Sequence, residues 1–120
     1  TFNNSNTGSI TFKVVDQNRF VLENFYCTPN PITDYTHFYF ETNNSGTTLD
    51  IKIDIFNING TQVAQLVKKG IYAEGYRIGP FEWNGRNHNG AKLAKGIYFA
   101  RIAVSSGQGE QLATTKFIVL

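Results

Sequence analysis

The sequence WNGRNHNG at residues 83–90, which leads into GIYFAR at residues 96–101, is the part of the chain that says most about its fold. Two Asn-Gly pairs lie here between a tryptophan and a strand-like run rich in apolar residues. Because Asn and Gly adopt positive φ at low cost, both pairs predict tight turns within a β-arch. The stretch therefore indicates a structural element of an all-β protein and gives no sign of a catalytic loop.

The clearest strand is predicted at residues 49–55, where LDIKIDI alternates aliphatic with charged side chains. This alternation places the aliphatic side chains on one face of a sheet and the charges in water. The pair Asn59-Gly60 separates this run from a second predicted strand at residues 61–67. An Asn-Gly pair between two strands predicts a two-residue hairpin with a type I′ turn.

The remaining strands follow the same reasoning, and no segment shows a sustained helical period. Polar or Gly-rich turns are predicted at residues 16–19, 43–48, 69–75, 84–90 and 105–110. Strands then recur at roughly the 8–12-residue spacing that is typical of a β-sandwich. We predict one antiparallel sandwich of seven strands plus one extra strand at the amino-terminal side. The predicted strands are 9–15, 20–26, 35–42, 49–55, 61–67, 77–83, 96–104 and 112–119.

The extra strand indicates how the chain is divided. Residues 1–8 are rich in Asn, Ser and Thr, and a polar hinge at 16–19 follows the strand. We therefore expect residues 1–19 to be the tail of a preceding domain plus a linker, and residues 20–120 to be the sandwich domain. Without its native neighbours, strand 9–15 would add to an exposed sheet edge or swap into a second molecule as a domain-swapped homodimer.

Composition bounds the function. With 120 residues, 41% of them hydrophobic, the chain can bury a core without disulfides or metal. A net charge of +2 with scattered basic residues disfavours nucleic acid and anionic lipid as partners. The sequence contains neither an apolar run of ~18 residues nor a signal-peptide pattern, and its start at Thr1 suggests a fragment of a longer protein.

Residues for catalysis or metal binding are few. Cys27 could act as a nucleophile with His37 or His88 as its base, but no sequence signature surrounds it and a buried thiol explains it equally well. Two separated histidines and one cysteine do not supply the clustered ligands of a zinc site. The loop at 84–90 has no carboxylate for calcium, and the acidic residues are spread over different elements. We therefore assign no catalytic, cofactor-binding or metal-binding residue.

Aromatic residues offer a binding function of another kind. Trp83 beside Glu82 could form a platform for a sugar ring, although a tryptophan at this place in a sandwich more often closes the core. Exposed rings at sheet edges and ends could instead bind a protein partner. The candidates for such rings are Tyr35, Tyr39, Tyr98 and Phe99.

The ordered set of motifs resembles the C-terminal sorting domains of type IX secretion, over residues 22–120. The motifs are LENF at 22–25, PNP at 29–31, THFYF at 36–40, IFNING at 55–60, WNGR at 83–86, Gly90, Leu93, GIY at 96–98 and Lys116. The resemblance implies a seven-stranded Ig-like sandwich at the carboxyl end of a larger Gram-negative protein. It also implies an address label that the secretion machinery passes across the outer membrane, and not an enzyme.

The resemblance further implies which residues meet the machinery. Recognition would fall on Gly96, Tyr98 and the final strand, namely Lys116, Phe117, Ile118, Val119 and Leu120. The expected partners are an outer-membrane β-barrel protein of the PorV type and other type IX components, and the expected location is the outer membrane or cell surface after passage through the periplasm.

Within the family the chain is most similar to the PorU-type sortase branch. This resemblance implies a parent protein that is a gingipain-like cysteine peptidase and keeps the domain. The peptidase centre would then lie outside the present residues. Two alternatives stay open at this point: a cleavable signal of a secreted cargo protein, and a carbohydrate-binding or adhesive sandwich that uses Trp83 and surface tyrosines.

Overall fold

Two antiparallel sheets form the protein in a computed structural model that describes residues 20–120. The strands are β1 Leu22–Thr28, β2 Thr36–Thr42, β3 Thr48–Asn57, β4 Gln62–Tyr72, β5 Arg77–Trp83, β6 Gly96–Ser106 and β7 Gly109–Val119. The small sheet has the order β1-β2-β5, and the large sheet has the order β4-β3-β6-β7. Across residues 20–120 the predicted all-β sandwich of seven strands is confirmed. The extra strand predicted at 9–15 lies outside the described residues.

Alternation along the strands fixes which face of each sheet is inside. On β3, Leu49, Ile51, Ile53 and Ile55 are buried, as the pattern LDIKIDI predicts. A shift of register by one residue would expose this whole row, and each such side chain gains about 1.5–3 kcal/mol on burial. The large sheet therefore has one well-defined inner face.

Within residues 20–120 there is no helix that is long and apolar enough to cross a membrane.

An aromatic cluster joins the two sheets in the core. Phe38 of β2 is fully buried, and its ring centroid lies 5.7 Å from that of Phe25 and 6.3 Å from those of Trp83 and Phe117. Phe117 in turn stacks on Tyr98 at 5.9 Å. Because Phe38 belongs to the small sheet and Phe117 to the large one, these contacts connect the carboxyl-terminal strand to the opposite layer.

The predicted β-arch is confirmed, because β5 ends in the small sheet and β6 begins in the large one. The predicted type I′ turn at Asn59-Gly60 is wrong. The N–H of Gly60 donates to the carbonyl of Asn57, and Gly60 has positive φ whereas Asn59 does not. This is a type I turn followed by a left-handed glycine, the three-residue hairpin loop. Residues 87–91 repeat it, with Gly90 in the position of Gly60.

Two predicted turns extend too far. Strand β4 continues to Tyr72 although a turn was expected from residue 69, because Gly70 forms a bulge. The N–H of Gly70 donates to the Asp50 carboxylate at 3.0 Å, which keeps the bulge against β3. Strands β6 and β7 likewise run to Ser106 and from Gly109, so the turn predicted at 105–110 is shorter.

Candidate functional site

The last strand, β7, is held along its outer edge by the segment between β1 and β2. The N–H of Ile32 donates to the carbonyl of Ile118 at 2.7 Å, and the N–H of Leu120 donates to the carbonyl of Ile32 at 2.8 Å. Asn30 adds its side chain: its Oδ1 accepts from the Ile118 N–H at 3.1 Å, and its Nδ2 donates to the Lys116 carbonyl at 3.4 Å. The segment 30–32 therefore acts as a strap on the end of β7.

The predicted recognition residues divide into an inner and an outer set. Tyr98, Phe117 and Val119 are buried in the core, so the prediction that the Tyr98 ring is exposed is wrong. The Tyr98 hydroxyl donates to the carbonyl of Ala94 at 2.7 Å, and its ring lies on Phe117. Gly96 is half-buried opposite Val119, with φ of +152°. These residues shape the end of the sheet and present little surface to a partner.

The outer set is on the outward face of the large sheet. Lys116, Ile118 and Leu120 are exposed, and Ile118 alternates with the buried Phe117 and Val119. In the adjacent strand, Ile97 lies opposite Ile118 and Phe99 lies opposite Lys116. The face on which the predicted recognition residues reach solvent therefore also includes β6.

We call the outward side of the large sheet the outer face. Several of the large apolar side chains exposed in residues 20–120 lie on it: Val67, Ile97, Phe99, Leu112 and Ile118. At the end nearest Leu120, Phe99 lies beside Phe56 and lines a shallow depression with Ile58. We call Phe56, Ile58, Ile97, Phe99 and Ile118 the apolar patch. A grouping of this kind marks an interaction surface more often than scattered single residues do.

A polar row crosses the outer face beside the apolar patch. The Asp54 side chain points toward the outer face, yet it is buried, because Gln65 and Arg101 lie opposite it on the two neighbouring strands and cover it. Gln65 Nε2 donates to Asp54 Oδ1 at 2.7 Å, and an Arg101 nitrogen lies 3.6 Å from Asp54 Oδ2. The guanidinium carbon of Arg101 also lies 5.1 Å from the centre of the Phe56 ring. Sequence reasoning missed this row, although the alternation Lys52-Ile53-Asp54 signalled an outward Asp54.

Cys27 is not brought together with a base. Its thiol is buried, and burial raises its pKa from the ordinary value of 9.0 despite a hydrogen bond with Thr36. A nucleophilic cysteine needs the opposite shift. His37 packs edge-on against the Tyr35 ring on the outward side of the small sheet, and His88 lies in the turn at 87–91. No group of three or more His, Cys, Asp or Glu suited to a metal ion occurs within residues 20–120.

Trp83 belongs to the core, which removes the proposed sugar platform. Its side chain is 5% exposed, and its Nε1 donates to the carbonyl of Arg86 at 3.2 Å. Of the other rings that were expected outside, Tyr35 and Phe99 are exposed, whereas Tyr39 is half-buried and stacks on Tyr26 at 5.3 Å. Of the rings that were predicted to be exposed, Phe99 is therefore the one that is both exposed and beside the last strand.

Comparison with known proteins identifies the family. The profile of the secretion system C-terminal sorting domain matches residues 26–120, which includes all of the strap, the apolar patch and β7. A search of curated proteins found no match.

Two solved structures share the fold. Dimeric latent PorU from Porphyromonas gingivalis aligns with a TM-score of 0.72 at 24% identity, over 92% of this chain and 10% of that one. The β-glucuronidase of Parabacteroides merdae aligns with a TM-score of 0.58 at 8% identity, over 84% of this chain and 13% of that one. The chain therefore spans about a tenth of the length of the solved proteins that it matches. Such likenesses show the sandwich fold and leave function to the family and the site.

Proposed function

Because the chain belongs to the family of secretion system C-terminal sorting domains, we propose that it directs its parent through type IX secretion and docks it on an outer-membrane β-barrel of the PorV type. A tail of this family implies export across the outer membrane to the cell surface or beyond. Sorting-signal domains are typically non-catalytic, and we propose that this one carries no activity of its own.

Docking by the last strand is supported by one observation: its backbone is held in place while alternate side chains are exposed to solvent. The strap and the buried Phe117 and Val119 hold the end of β7 in one conformation. Its alternate side chains, Lys116, Ile118 and Leu120, are left in solvent. A preorganised strand loses little conformational freedom on binding, so its exposed side chains and the adjoining face supply affinity at low entropic cost.

The predicted recognition residues take two roles in this proposal. Lys116, Ile118 and Leu120 contact the partner directly. Gly96, Tyr98, Phe117 and Val119 act by giving the end of the sheet its shape. The Tyr98 bond to Ala94 and the Phe117 stack on Tyr98 support this second role.

We propose further that the parent is a PorU-type sortase that retains the domain. The family match and the shared fold with PorU support a parent of this class, and its peptidase centre would lie outside the present chain. A cargo protein would instead lose the domain at the surface. Mass spectrometry of the surface-exposed parent distinguishes the two, because only a retained domain leaves peptides of residues 20–120 attached.

Deletion of residues 112–120 in the full-length parent tests the proposal. We expect the truncated parent to accumulate in the periplasm, measured by cell fractionation and surface protease accessibility. Ile118→Asp is the companion variant: the side chain is exposed, so the core is preserved, and export should still fall. Normal surface export of both variants would contradict the proposal.

A further inference from the structure

We propose that the apolar patch, together with Arg101 and Lys116, binds a segment of a protein partner that carries a carboxylate between apolar side chains. This inference rests on the proposed function and specifies the chemistry of the partner. It places the contact on the sheet face beside the last strand, in addition to the strand itself.

The apolar part of the surface comes from three neighbouring strands and a hairpin. Phe56, Phe99 and Lys116 form one row across β3, β6 and β7, and Ile97 and Ile118 form the next row toward Leu120. Ile58 at the β3–β4 hairpin is 69% exposed and lines the depression beside Phe56. Apolar side chains of a partner would remove these rings and aliphatic groups from water, which is the favourable term in most associations.

Arg101 stands at the edge of the patch in a fixed position. Half of its side chain is exposed, while Asp54 and the Phe56 ring hold the guanidinium. Gln65 fixes Asp54 in turn. A guanidinium has five N–H donors in a rigid fork, so one carboxylate neighbour at 3.6 Å leaves donors for a second. Arginine is one of the residue types that are enriched at binding hot spots.

The two charged side chains exposed beside the patch, Arg101 and Lys116, are both positive. The carboxylate of the polar row belongs to Asp54, and it is buried and paired with Arg101. Within residues 20–120 no carboxylate lies at ion-pair distance from Lys116, which is exposed. The other outer-face carboxylates, Asp50 and Glu110, lie in the row at the opposite end of the sheet, on either side of Ser105.

Arg101 and Lys116 are close enough to act on one group. Arg101 pairs with Thr114, and Phe99 pairs with Lys116, so the two cations are diagonal neighbours on adjacent strands. Such neighbours lie about 7–8 Å apart, with their Cβ atoms somewhat closer, which is within reach of long side chains. A carboxylate above Thr114 would meet both cations, and the apolar side chains that flank it would meet the patch.

A protein segment fits this surface better than a lipid headgroup. Recognition of an anionic membrane usually takes a cluster of roughly four to eight basic residues. On the outer face, the outward cations of the described strands are Lys52, Lys69, Arg101 and Lys116, and they do not form one cluster. Arg101 is paired with Asp54, and Lys69 lies at the opposite end of the sheet, in a depression that Asp50 and Glu110 also line. Two cations beside apolar side chains match one acidic residue in an apolar sequence.

Binding of the whole 120-residue chain to the purified PorV-type barrel of the same bacterium, in detergent, tests the inference. We expect Lys116→Glu to weaken the affinity about tenfold or more, because it replaces attraction by repulsion at an uncompensated cation. Phe99→Ser should weaken it similarly. Lys68→Glu is the matched control, since Lys68 is exposed and pairs with the inward-facing Ile51 on the far side of the sheet; its affinity should stay within about twofold.

Arg101 needs a variant that does not leave Asp54 buried without a cation. Arg101→Lys keeps the charge near Asp54 but loses the planar fork, so affinity should fall while the midpoint of thermal unfolding changes little. If Arg101→Lys fails to fold, the Lys116→Glu and Lys68→Glu pair decides the result, because neither lysine is in an ion pair within residues 20–120.

The outcomes separate this inference from the proposed function. If Lys116→Glu and Phe99→Ser bind like the unaltered chain while deletion of 112–120 still blocks export, the docking surface is wrong and the sorting function stands. If that deletion leaves export normal, both are overturned. Binding to vesicles that contain phosphatidylglycerol, lost in Lys116→Glu, with no binding to the barrel, would replace the protein partner by a membrane.

Discussion

The backbone N–H of Ile32 donates to the carbonyl oxygen of Ile118 at 2.7 Å, and this bond joins the PNP segment to the last strand. Ile32 and Val119 form a parallel bridge, although both sheets are antiparallel. The bridge covers the part of the β7 edge that an unprotected strand would leave open to other chains. It also fixes which side chains of residues 116–120 point into solvent.

Asn30→Ala should loosen the strap without disturbing the core. The change removes the acceptor of the Ile118 N–H and the donor to the Lys116 carbonyl. We expect a loss of about 0.5–1.5 kcal/mol in the free energy of unfolding, as for exposed hydrogen bonds. Hydrogen exchange at the Ile118 amide should accelerate by a larger factor than the loss in the stability of the whole domain alone would produce. Unchanged exchange at Ile118 would show that Asn30 does not hold the strand.

Asn57→Ala and Asn87→Ala should have similar effects, because the two turns share one design. Each Asn Oδ1 accepts two backbone N–H groups: Asn59 and Thr61 in one turn, Asn89 and Ala91 in the other. We expect each change to lower the free energy of unfolding by about 1–2 kcal/mol in urea titrations. Asn59→Ala is the control. Asn59 takes part in the turn through its backbone N–H, which the substitution keeps, so the free energy of unfolding should fall by less. An equal loss in the control would refute the side-chain explanation.

Gly79→Ala should be the most damaging glycine substitution in β5 and the turns. An added Cβ would lie 2.7 Å from the Phe38 carbonyl oxygen and 2.8 Å from Cδ1 of Tyr39, at a φ of +138°. Gly46→Ala is the matched control, since its φ is +86° and nothing lies within 4 Å of the added atom. Strain of φ alone costs on the order of 1–2 kcal/mol, so Gly79→Ala should exceed Gly46→Ala in thermal and urea unfolding. Equal losses would mean that the close approach at Phe38 relaxes freely.

The buried Cys27 thiol should make stability depend on pH in the alkaline range. Burial raises its pKa in the folded state above the ordinary value of 9.0, so the thiol contributes stability in full below that value. The contribution is lost as pH rises from the ordinary value up to the folded pKa, because in this range the unfolded chain forms the thiolate while the folded chain keeps the thiol protonated. Urea titrations of Cys27→Ala should lack this part of the alkaline decline. The thiol should also react with a maleimide only slowly until urea unfolds the chain; rapid labelling of the folded protein at pH 8 would contradict its burial.

The sequence was sufficient where the signal is local. The alternation in residues 49–55 predicted the inner row of β3, and WNGRNHNG predicted the crossing between sheets, because both depend on neighbouring residues. In GIYFAR both faces of the strand are apolar, so nothing in the pattern could decide that Tyr98 is inside and Phe99 outside. Packing on Phe117 and the bond to Ala94 decide it.

The strap and the polar row depend on contacts between distant parts of the chain. Asn30 and Ile118 are 88 positions apart, and two prolines around Asn30 conceal that the segment pairs with a strand. Asp54 and Arg101 likewise meet only after β3 and β6 pair. The candidate site could be predicted as the end of the chain, whereas the division of its residues between core and surface required the folded sheet.

The most direct test of the central claim is a transplant into cells of a bacterium that has type IX secretion. Residues 1–120 are fused to the carboxyl end of a fluorescent protein that a signal peptide delivers to the periplasm, and the fraction accessible to external protease is measured. We expect the intact fusion to reach the cell surface and the same fusion ending at residue 111 to stay in the periplasm. Equal retention of both fusions, or equal export of both, would contradict it.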